Sequence, residues 1–233
     1  MKVRVKFAKD GLMVYIGHLD ILRYFQKCIR KSGIDIAYSK GFSPHQIMSF
    51  AAPLGVGIIS SGEYMDIEIN SHEGRDKFIE DLNSVMVPGM RILNAVMLPD
   101  GTDNAMASVA AARYKVHPKE GKEFPKEVLD IAAAFDSMES IIVMKETKKN
   151  TLEVDLKPHI YEFSMDEKEL NCLVDASSSG NIKSTQILKA FFDMAGLEFN
   201  PLDYQVIRVD TYTNIGDENN MKLVPMDQVG EMF

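Results

Sequence analysis

Apolar and polar side chains alternate along the first hundred residues with two different periods. Residues 2–7 switch between basic and apolar at every step, which predicts a β-strand with one apolar face. Residues 18–31 follow the period of a helix with one apolar stripe, and Gly33 is typical of the residue that ends it. The same patterns predict the other elements of this half: strands over 34–38, 64–69 and 90–98, and a helix over 73–86.

The second half of the chain repeats this order more loosely. Its predicted elements are a strand over 112–118, a helix over 125–137, strands over 140–147, 152–156, 160–165 and 170–176, a helix from Ser184, as its cap, to Gly196, and a strand over 204–212. Because both halves contain the order β-α-β-β-α-β, we expect an α+β fold of two tandem ferredoxin-like units with antiparallel sheets, the second decorated with an extra strand.

The predicted elements divide the chain into four segments. Residues 1–98 form the first ferredoxin-like unit, which includes a long loop over 38–62. A linker rich in turn formers and small residues follows over 99–111, and the second unit covers 112–214. Residues 215–233 lack periodicity, and we expect an irregular tail.

Composition places the chain among globular proteins. Of its 233 residues 45% are hydrophobic and 26% charged, which excludes disordered and collagen-like classes. No apolar run reaches the roughly 18 residues of a membrane span, and the first residues do not resemble a signal peptide, so we expect a cytoplasmic protein with no membrane partner. The two cysteines, Cys28 and Cys172, are isolated in sequence and form no recognisable ligand set. We therefore expect no metal and no directly bound cofactor.

Charge is distributed unevenly along the chain. The net charge is −8, yet residues 1–60 alone carry +6, so the remaining 173 residues carry −14. Within the positive segment, Arg23, Lys27 and Arg30 share the polar face of the first predicted helix. Such segregation suits an external anionic partner such as RNA, and it equally suits attraction between two parts of the same protein.

The connection over residues 38–57 is the best candidate for a binding site. It is far longer than a hairpin needs, and it is too apolar to be disordered. Its cation, hydroxyl and imidazole groups suit a phosphate or a nucleotide edge, although an apolar flap with locally satisfied polar groups remains the alternative. The candidate substrate-binding residues, with those of the basic helix face, are Lys40, Gly41, Phe42, Ser43, His45, Ser49, Arg23, Lys27 and Arg30.

Two histidines are candidates for acid–base chemistry. His45 lies in the long connection beside Lys40 and Ser43. His18 lies where the first helix begins, and free backbone N–H groups attract anions there, although an ordinary N-terminal helix residue explains it equally well. We expect the 38–57 connection and His18 to form the two walls of one pocket. His159 is a weaker candidate.

Asp66 and Glu68 share one face of a predicted strand, as paired catalytic acids do. The first and third strands of a ferredoxin-like sheet are neighbours. We therefore expect these carboxylates to lie across from Arg4 and Lys6 as structural charge pairs.

Several short motifs together resemble the radical SAM-linked protein family of bacteria. They are Gly17-His18-Leu19-Asp20, residues 38–45 (YSKGFSPH), Ser49-Phe50-Ala51, residues 53–57 (PLGVG), residues 63–66 (EYMD) and residues 154–158 (VDLKP). The resemblance covers essentially the whole chain and is densest over residues 1–70. This family is a domain of unknown function found alone or joined to a cobalamin-binding radical SAM protein.

The resemblance implies a partner rather than an activity. That partner is a separately encoded radical SAM protein, which uses S-adenosylmethionine, an iron–sulfur cluster and cobalamin, in RNA or ribosome modification. This chain lacks the C-x-x-x-C-x-x-C cluster ligands and so is not the radical enzyme itself.

Two functions from different classes remain open. In the first, which we favour, the chain is an accessory module that presents an anionic substrate, RNA, to the radical SAM partner. In the alternative it is a metal-independent endoribonuclease that uses a histidine as general base. Enzymes of that type have a glycine-rich loop near the C-terminus, for which residues 177–180 are a poor substitute. The sequence does not decide whether the chain catalyses a reaction.

Overall fold

The protein is an α+β chain of antiparallel strands and, within its described part, four α-helices. The structure, a computed structural model, describes residues 1–146, 151–178, 180–217 and 220–233. The chain divides into two units: unit 1 comprises residues 1–110 and 210–233, and unit 2 comprises residues 111–209. The sequence predicts that the second unit continues to residue 214, whereas the structure returns the chain to unit 1 at Asp210.

Unit 1 is built on a long central strand. Its elements are β1 (Lys2–Lys9), α1 (His18–Ser32), β2 (Asp35–Ile36), β3 (Met48–Phe50), β4 (Ile59–Ser71), α2 (Arg75–Ser84) and β5 (Met90–Met97). Strand β1 lies between β4 and β5, and β2 and β3 pair with β4. Two of these strands differ from the prediction. The strand predicted over 34–38 is only two residues long in the structure, and β4 begins five residues before Tyr64, the predicted start of that strand.

The apolar stripe of α1 packs on the sheet of unit 1. Ile21, Phe25 and Ile29 are buried, and the ring of Phe25 meets that of Phe7 on β1 with centroids 4.8 Å apart. Burial of side chains of this size contributes about 1.5–3 kcal/mol each. Gly33 ends the helix with a φ of 79°, a left-handed conformation that glycine adopts without a Cβ clash.

The register of β1 and β4 confirms one predicted charge pair and shows that the other is wrong. Arg4 lies opposite Asp66, and both side chains are buried. Because the strands are antiparallel, a step of two residues forward on β1 is a step of two residues back on β4. Lys6 therefore lies opposite Tyr64 rather than Glu68, which is exposed.

Unit 2 has a sheet and a separate hairpin. Its elements are β6 (Ala111–Pro118), α3 (Lys126–Ala133), β7 (Ile142–Glu146), β8 (Thr151–Asp155), β9 (Ile160–Met165), β10 (Leu170–Asp175), α4 (Ser184–Met194) and the first part of β11 (Tyr204–Asn214). Strand β10 lies between β6 and β9, while β7 and β8 pair only with each other.

Two predicted helix details in unit 2 differ from the structure. The helix expected over 125–137 ends at Ala133 and is followed by a short 3-10 turn, Phe135–Ser137. Lys183, not Ser184, occupies the N-cap of α4, where its backbone N–H donates to Gln186 Oε1 at 2.9 Å. The predicted end of one strand, Thr147, lies outside the described residues.

The tail expected to be irregular contains ordered elements. Strand β12 (Leu223–Pro225) pairs with the end of β11, and a 3-10 turn, Met226–Val229, follows it. Met226 is fully buried, and the carboxylate of Asp227 accepts a hydrogen bond from Asn94 at 2.8 Å. A strand of three residues is too short to show an alternating pattern, and one buried side chain has no period. The sequence therefore does not reveal these elements.

Candidate functional site

The exposed face of α1 presents a row of cations to solvent. Arg23, Lys27, Arg30 and Lys31 are all exposed, on the side of the helix opposite its buried stripe. Arg23 donates to Asp20 at 3.2 Å, and such an exposed ion pair contributes little to the stability of the fold. Within the described part of the chain, the other three side chains form no hydrogen bond and no ion pair. Their charges are therefore available to an anionic partner.

The cations of β1 are used inside unit 1 instead. Each of the four has an acceptor: Lys2 donates to the carbonyl of Thr102, Arg4 to Asp66, Lys6 to Asp210, and Lys9 to the carbonyl of Ile16. The positive segment of the sequence therefore divides into two parts. Each cation of its strand half has a hydrogen-bond acceptor within the unit, and its helix half faces solvent.

Five of the candidate residues, Lys40, Gly41, Phe42, Ser43 and His45, lie on a small closed tip between β2 and β3. Ser39 and His45 hold its base: Ser39 N donates to His45 O at 2.8 Å, His45 N donates to Ser39 Oγ at 3.1 Å, and this hydroxyl lies 2.9 Å from His45 Nδ1. Between them, Lys40, Phe42 and Ser43 are exposed. Gly41, with a φ of 115°, adopts a conformation that favours glycine at the turn. We call residues 39–45 the loop tip.

A hydrogen bond joins the base of the loop tip to the basic helix. Gln46 is buried, and its Nε2 donates to the carbonyl of Gln26 in the middle of α1 at 3.3 Å. Gln26 lies one residue before Lys27 and three residues after Arg23, so the loop tip is anchored beside the row of cations. Ser49 is not part of this tip: it lies on β3 opposite Asp66 and is half-buried.

His18 lines a small cavity in unit 1. The cavity has a volume of about 20 Å³, enough for one water molecule. The ring of His18 lies edge-on to the ring of Phe50, with the two ring centroids 5.4 Å apart. Residues of the long connection thus form one wall, as expected, but they are Phe50, Ala52 and Leu54, whereas Lys40, Ser43 and His45 are not among the lining residues. His18 contacts Phe50 at the cavity, whereas His45 is hydrogen-bonded to Ser39 in the loop tip.

Two charged residues that the sequence analysis passes over, Lys9 and Glu63, also line this cavity. Both are buried, and Ser60 donates to Glu63 at 2.7 Å. Burial lowers the pKa of the Lys9 ammonium, while the nearby Glu63 carboxylate acts in the opposite direction. A lysine, a carboxylate and an imidazole therefore line one cavity.

The sequence contained a signal for both charged residues. Lys9 continues the alternation of Val3, Val5 and Phe7, and Glu63 precedes Met65 on the same face of β4. Lysine and glutamate are rarely buried, so a charged residue in line with the apolar positions of a strand marks a place to examine in the fold.

Unit 2 contains a histidine–carboxylate pair that the sequence analysis ranked low. His159 Nδ1 lies 3.0 Å from Asp175 Oδ2, and the imidazole is partly exposed. Although burial acts to raise the pKa of Asp175, hydrogen bonds from Ser177 and His159 outweigh it and lower this pKa. The pair orients one imidazole nitrogen and leaves the other as a base. Ser179, in the serine-rich segment nearby, lies outside the described residues.

Neither a metal site nor a membrane span is found in the part of the chain that the structure describes. No group of three or more His, Cys, Asp and Glu side chains there could hold a metal ion. Cys28 and Cys172 are both buried and free, and burial raises the pKa of the Cys172 thiol to about 12. No described helix is both long and apolar enough to cross a bilayer.

Comparison with protein families gives one match over most of the chain. A family described as "Uncharacterized protein conserved in bacteria (DUF2344)" matches residues 2–184. This range includes α1, the loop tip and the cavity residues. No curated protein matches the chain.

Two solved structures show a distant likeness to the chain. One is titled "Crystal Structure of a Cbf5-Nop10-Gar1 Complex", with 8% identity, a TM-score of 0.49, and coverage of 90% of this chain and 48% of that chain. Another, "Crystal structure of the archaeal box H/ACA sRNP Nop10-Cbf5 complex", has 7% identity, a TM-score of 0.41, and coverage of 88% and 46%. The chain spans about half the length of these proteins. At such values neither likeness assigns a function to the chain.

Proposed function

The chain belongs to this bacterial family, and from that premise we propose that it is an RNA-binding module that uses the exposed face of α1 and the loop tip. The single observation that carries the proposal is the division of the positive segment. Four cations of β1 have acceptors inside unit 1, while Lys27, Arg30 and Lys31 face solvent, in the described part of the chain, with no partner.

The electrostatic field of the chain favours a polyanion only at a locally positive surface such as this one. A whole-chain charge of −8 would repel RNA, so any binding surface must be locally positive. A row of cations along one helix face fits the spaced phosphates of a nucleic acid, and the gain in free energy comes from the counterions that the phosphates release. Lys40 on the loop tip adds a further exposed cation beside the row.

The same proposal includes a catalytic partner. The iron–sulfur cluster of a radical SAM enzyme is held by three cysteines, and these 233 residues contain only two, both buried. The cluster therefore has to be held by another protein or segment. We propose that a radical SAM protein supplies S-adenosylmethionine, the iron–sulfur cluster and cobalamin, and that this chain presents the RNA to it in the cytoplasm. The motif resemblance over residues 17–66 supports this partnership.

A finer description of the fold also belongs to the proposal. In unit 1 the strand order β5-β1-β4, with β2 and β3 on the far side of β4, is the order of a ferredoxin-like unit. In unit 2 the order β11-β6-β10-β9 has the same form, with the β7–β8 hairpin as the decoration. We propose that each unit is ferredoxin-like.

Reversal of charge on α1 tests the proposed function. A triple variant with Arg23→Glu, Lys27→Glu and Arg30→Glu should lose RNA binding in fluorescence anisotropy with a labelled single-stranded RNA. The matched control reverses three exposed lysines of unit 2, Lys119, Lys126 and Lys168, which changes the net charge by the same amount. If both variants lose the same affinity, or if the wild type does not bind RNA, the proposal is wrong.

One observation favours the alternative function, an endoribonuclease. The contact of 3.0 Å between His159 and Asp175 orients an imidazole as a general base. Such a base takes the proton of the RNA 2′-hydroxyl without a metal, the 2′-oxygen forms a bond to the adjacent phosphorus, and the bond from phosphorus to the 5′-oxygen breaks. The 5′-oxygen takes a proton from water, so the products are a 2′,3′-cyclic phosphate and a 5′-hydroxyl. RNA cleaved to that product in the presence of EDTA by the wild type, but not by the His159→Gln variant, would establish this activity. Intact RNA would exclude it.

A further inference from the structure

Phe42 is held in water by an ordered loop. Its ring is fully exposed, although burial of a phenylalanine contributes about 1.5–3 kcal/mol. The loop tip is short, and the hydrogen bonds between Ser39 and His45 close its base. An isolated bridge between Tyr38 and Gln46 adds to this closure. The backbone is therefore fixed in a conformation that keeps the ring away from the core.

The loop tip that bears this ring contains a cation and is anchored at its base to the basic helix. Lys40 is exposed two residues before it, and the bond from Gln46 to the carbonyl of Gln26 anchors the loop tip against α1 between Arg23 and Lys27. Charge complementarity favours an anionic occupant here over an apolar protein segment. An exposed aromatic ring beside a row of cations is the arrangement with which proteins bind single-stranded nucleic acid.

From this arrangement we infer that Phe42 stacks on an unpaired base and that the RNA bound by this surface is single-stranded at the loop tip. The inference rests on the proposed function and makes it more specific. In a duplex the faces of the bases are already stacked on their neighbours, so an exposed ring finds no face to cover. In a single strand every base offers a face, while the phosphates beside it reach the cations of α1. Tyr38, at the base of the tip, is also half-exposed.

Substitutions at residue 42 distinguish stacking from simple apolar contact. Phe42→Ala should weaken binding of a labelled, unstructured single-stranded RNA by about 5- to 150-fold, the usual loss for one stacked base. Phe42→Leu keeps apolar area but has no ring, and it should lose about as much as Phe42→Ala. Phe42→Trp keeps a ring and should bind as tightly as the wild type. Leu202→Ala, an exposed apolar residue of unit 2, is the matched control and should have no effect.

The RNA duplex made from the same strand is the second probe. The wild type should prefer the single strand, and the Phe42→Ala variant should lose that preference while it keeps salt-dependent binding to both. Because Phe42 is exposed, all four variants should unfold at the wild-type temperature, so a loss of affinity reports the contact and not the fold.

Three outcomes would overturn the inference. They are equal wild-type affinity for single strand and duplex, wild-type affinity in the Phe42→Leu variant, and binding that depends on Phe42 with phosphatidylserine vesicles but not with RNA. The first two leave the proposed function intact, since the charge-reversal variant of α1 tests that function separately. Absence of all RNA binding by the wild type would instead contradict the proposed function itself.

Discussion

Arg4 and Asp66 form a two-point ion pair across strands β1 and β4. Arg4 Nε donates to one carboxylate oxygen at 2.8 Å, and Arg4 Nη2 donates to the other at 3.0 Å. Both side chains are buried, and the guanidinium also donates to the carbonyls of Met226 and Asp103. This pair fixes the register of the central strands and reaches the loop after β5 and the turn after β12.

Removal of one partner of that pair should destabilise the protein strongly. Asp66→Ala leaves an uncompensated buried guanidinium, and we expect the free energy of unfolding to fall by about 3–5 kcal/mol. Urea unfolding measures this change. Glu68→Ala, two residues along the same strand but exposed, is the control and should stay within about 0.5 kcal/mol of the wild type. Similar effects of the two substitutions would contradict a buried, structural role for Asp66.

Two glycines with similar backbone angles should respond differently to alanine. Gly89 has a φ of 91°, and a Cβ there would lie 2.6 Å from the carbonyl oxygen of Asp10. Gly101 has a φ of 82° but open space around it. Gly101→Ala should cost about 1–2 kcal/mol in conformational strain. Gly89→Ala adds a backbone clash and should cost about 1–3 kcal/mol more. Thermal unfolding of both variants checks the difference, and equal losses would contradict the close approach.

The lowered pKa of Lys9 predicts a dependence of stability on pH. Below the ordinary lysine pKa of 10.5 the unfolded chain binds more protons at this residue than the folded chain does. The free energy of unfolding should therefore rise with pH between the lowered pKa and 10.5. Lys9→Met removes this contribution, so in urea unfolding the free energy of unfolding of the wild type, relative to that of the variant, should increase as the pH rises through this range. Parallel profiles would contradict a lowered pKa.

The parts of the fold that the sequence predicted correctly are those with a repeated pattern. The helix α1 was found because Phe25 and Ile29 recur on one face, and Gly33 marks its end. Strand β3 was missed because its three residues, Met48–Phe50, are too few to show alternation inside an apolar connection. The antiparallel register then decided which charges pair, and this register is a tertiary property that no local pattern contains.

The sequence proposes the residues of the candidate site but not how they are grouped in space. The exposed cations of α1 and the loop residues Lys40, Phe42 and His45 were all identified from residue type and loop length. Their anchoring through Gln46 could not be predicted, because a hydrogen bond from a side chain to a distant backbone carbonyl leaves no trace in the sequence pattern. His18 was expected beside His45, but the structure places it with Phe50 at the cavity.

The salt dependence of RNA binding tests the central claim, that α1 contacts phosphates, most directly. The dissociation constant of a single-stranded RNA would be measured over a range of salt concentration for the wild type and for the variant with Arg23→Ala, Lys27→Ala and Arg30→Ala. Each phosphate contact to a single strand contributes about −0.7 to the slope of the logarithm of the association constant, the reciprocal of the dissociation constant, against log salt. The account predicts a steep wild-type slope that becomes shallower by about two in the variant. Equal slopes for the two proteins would contradict it.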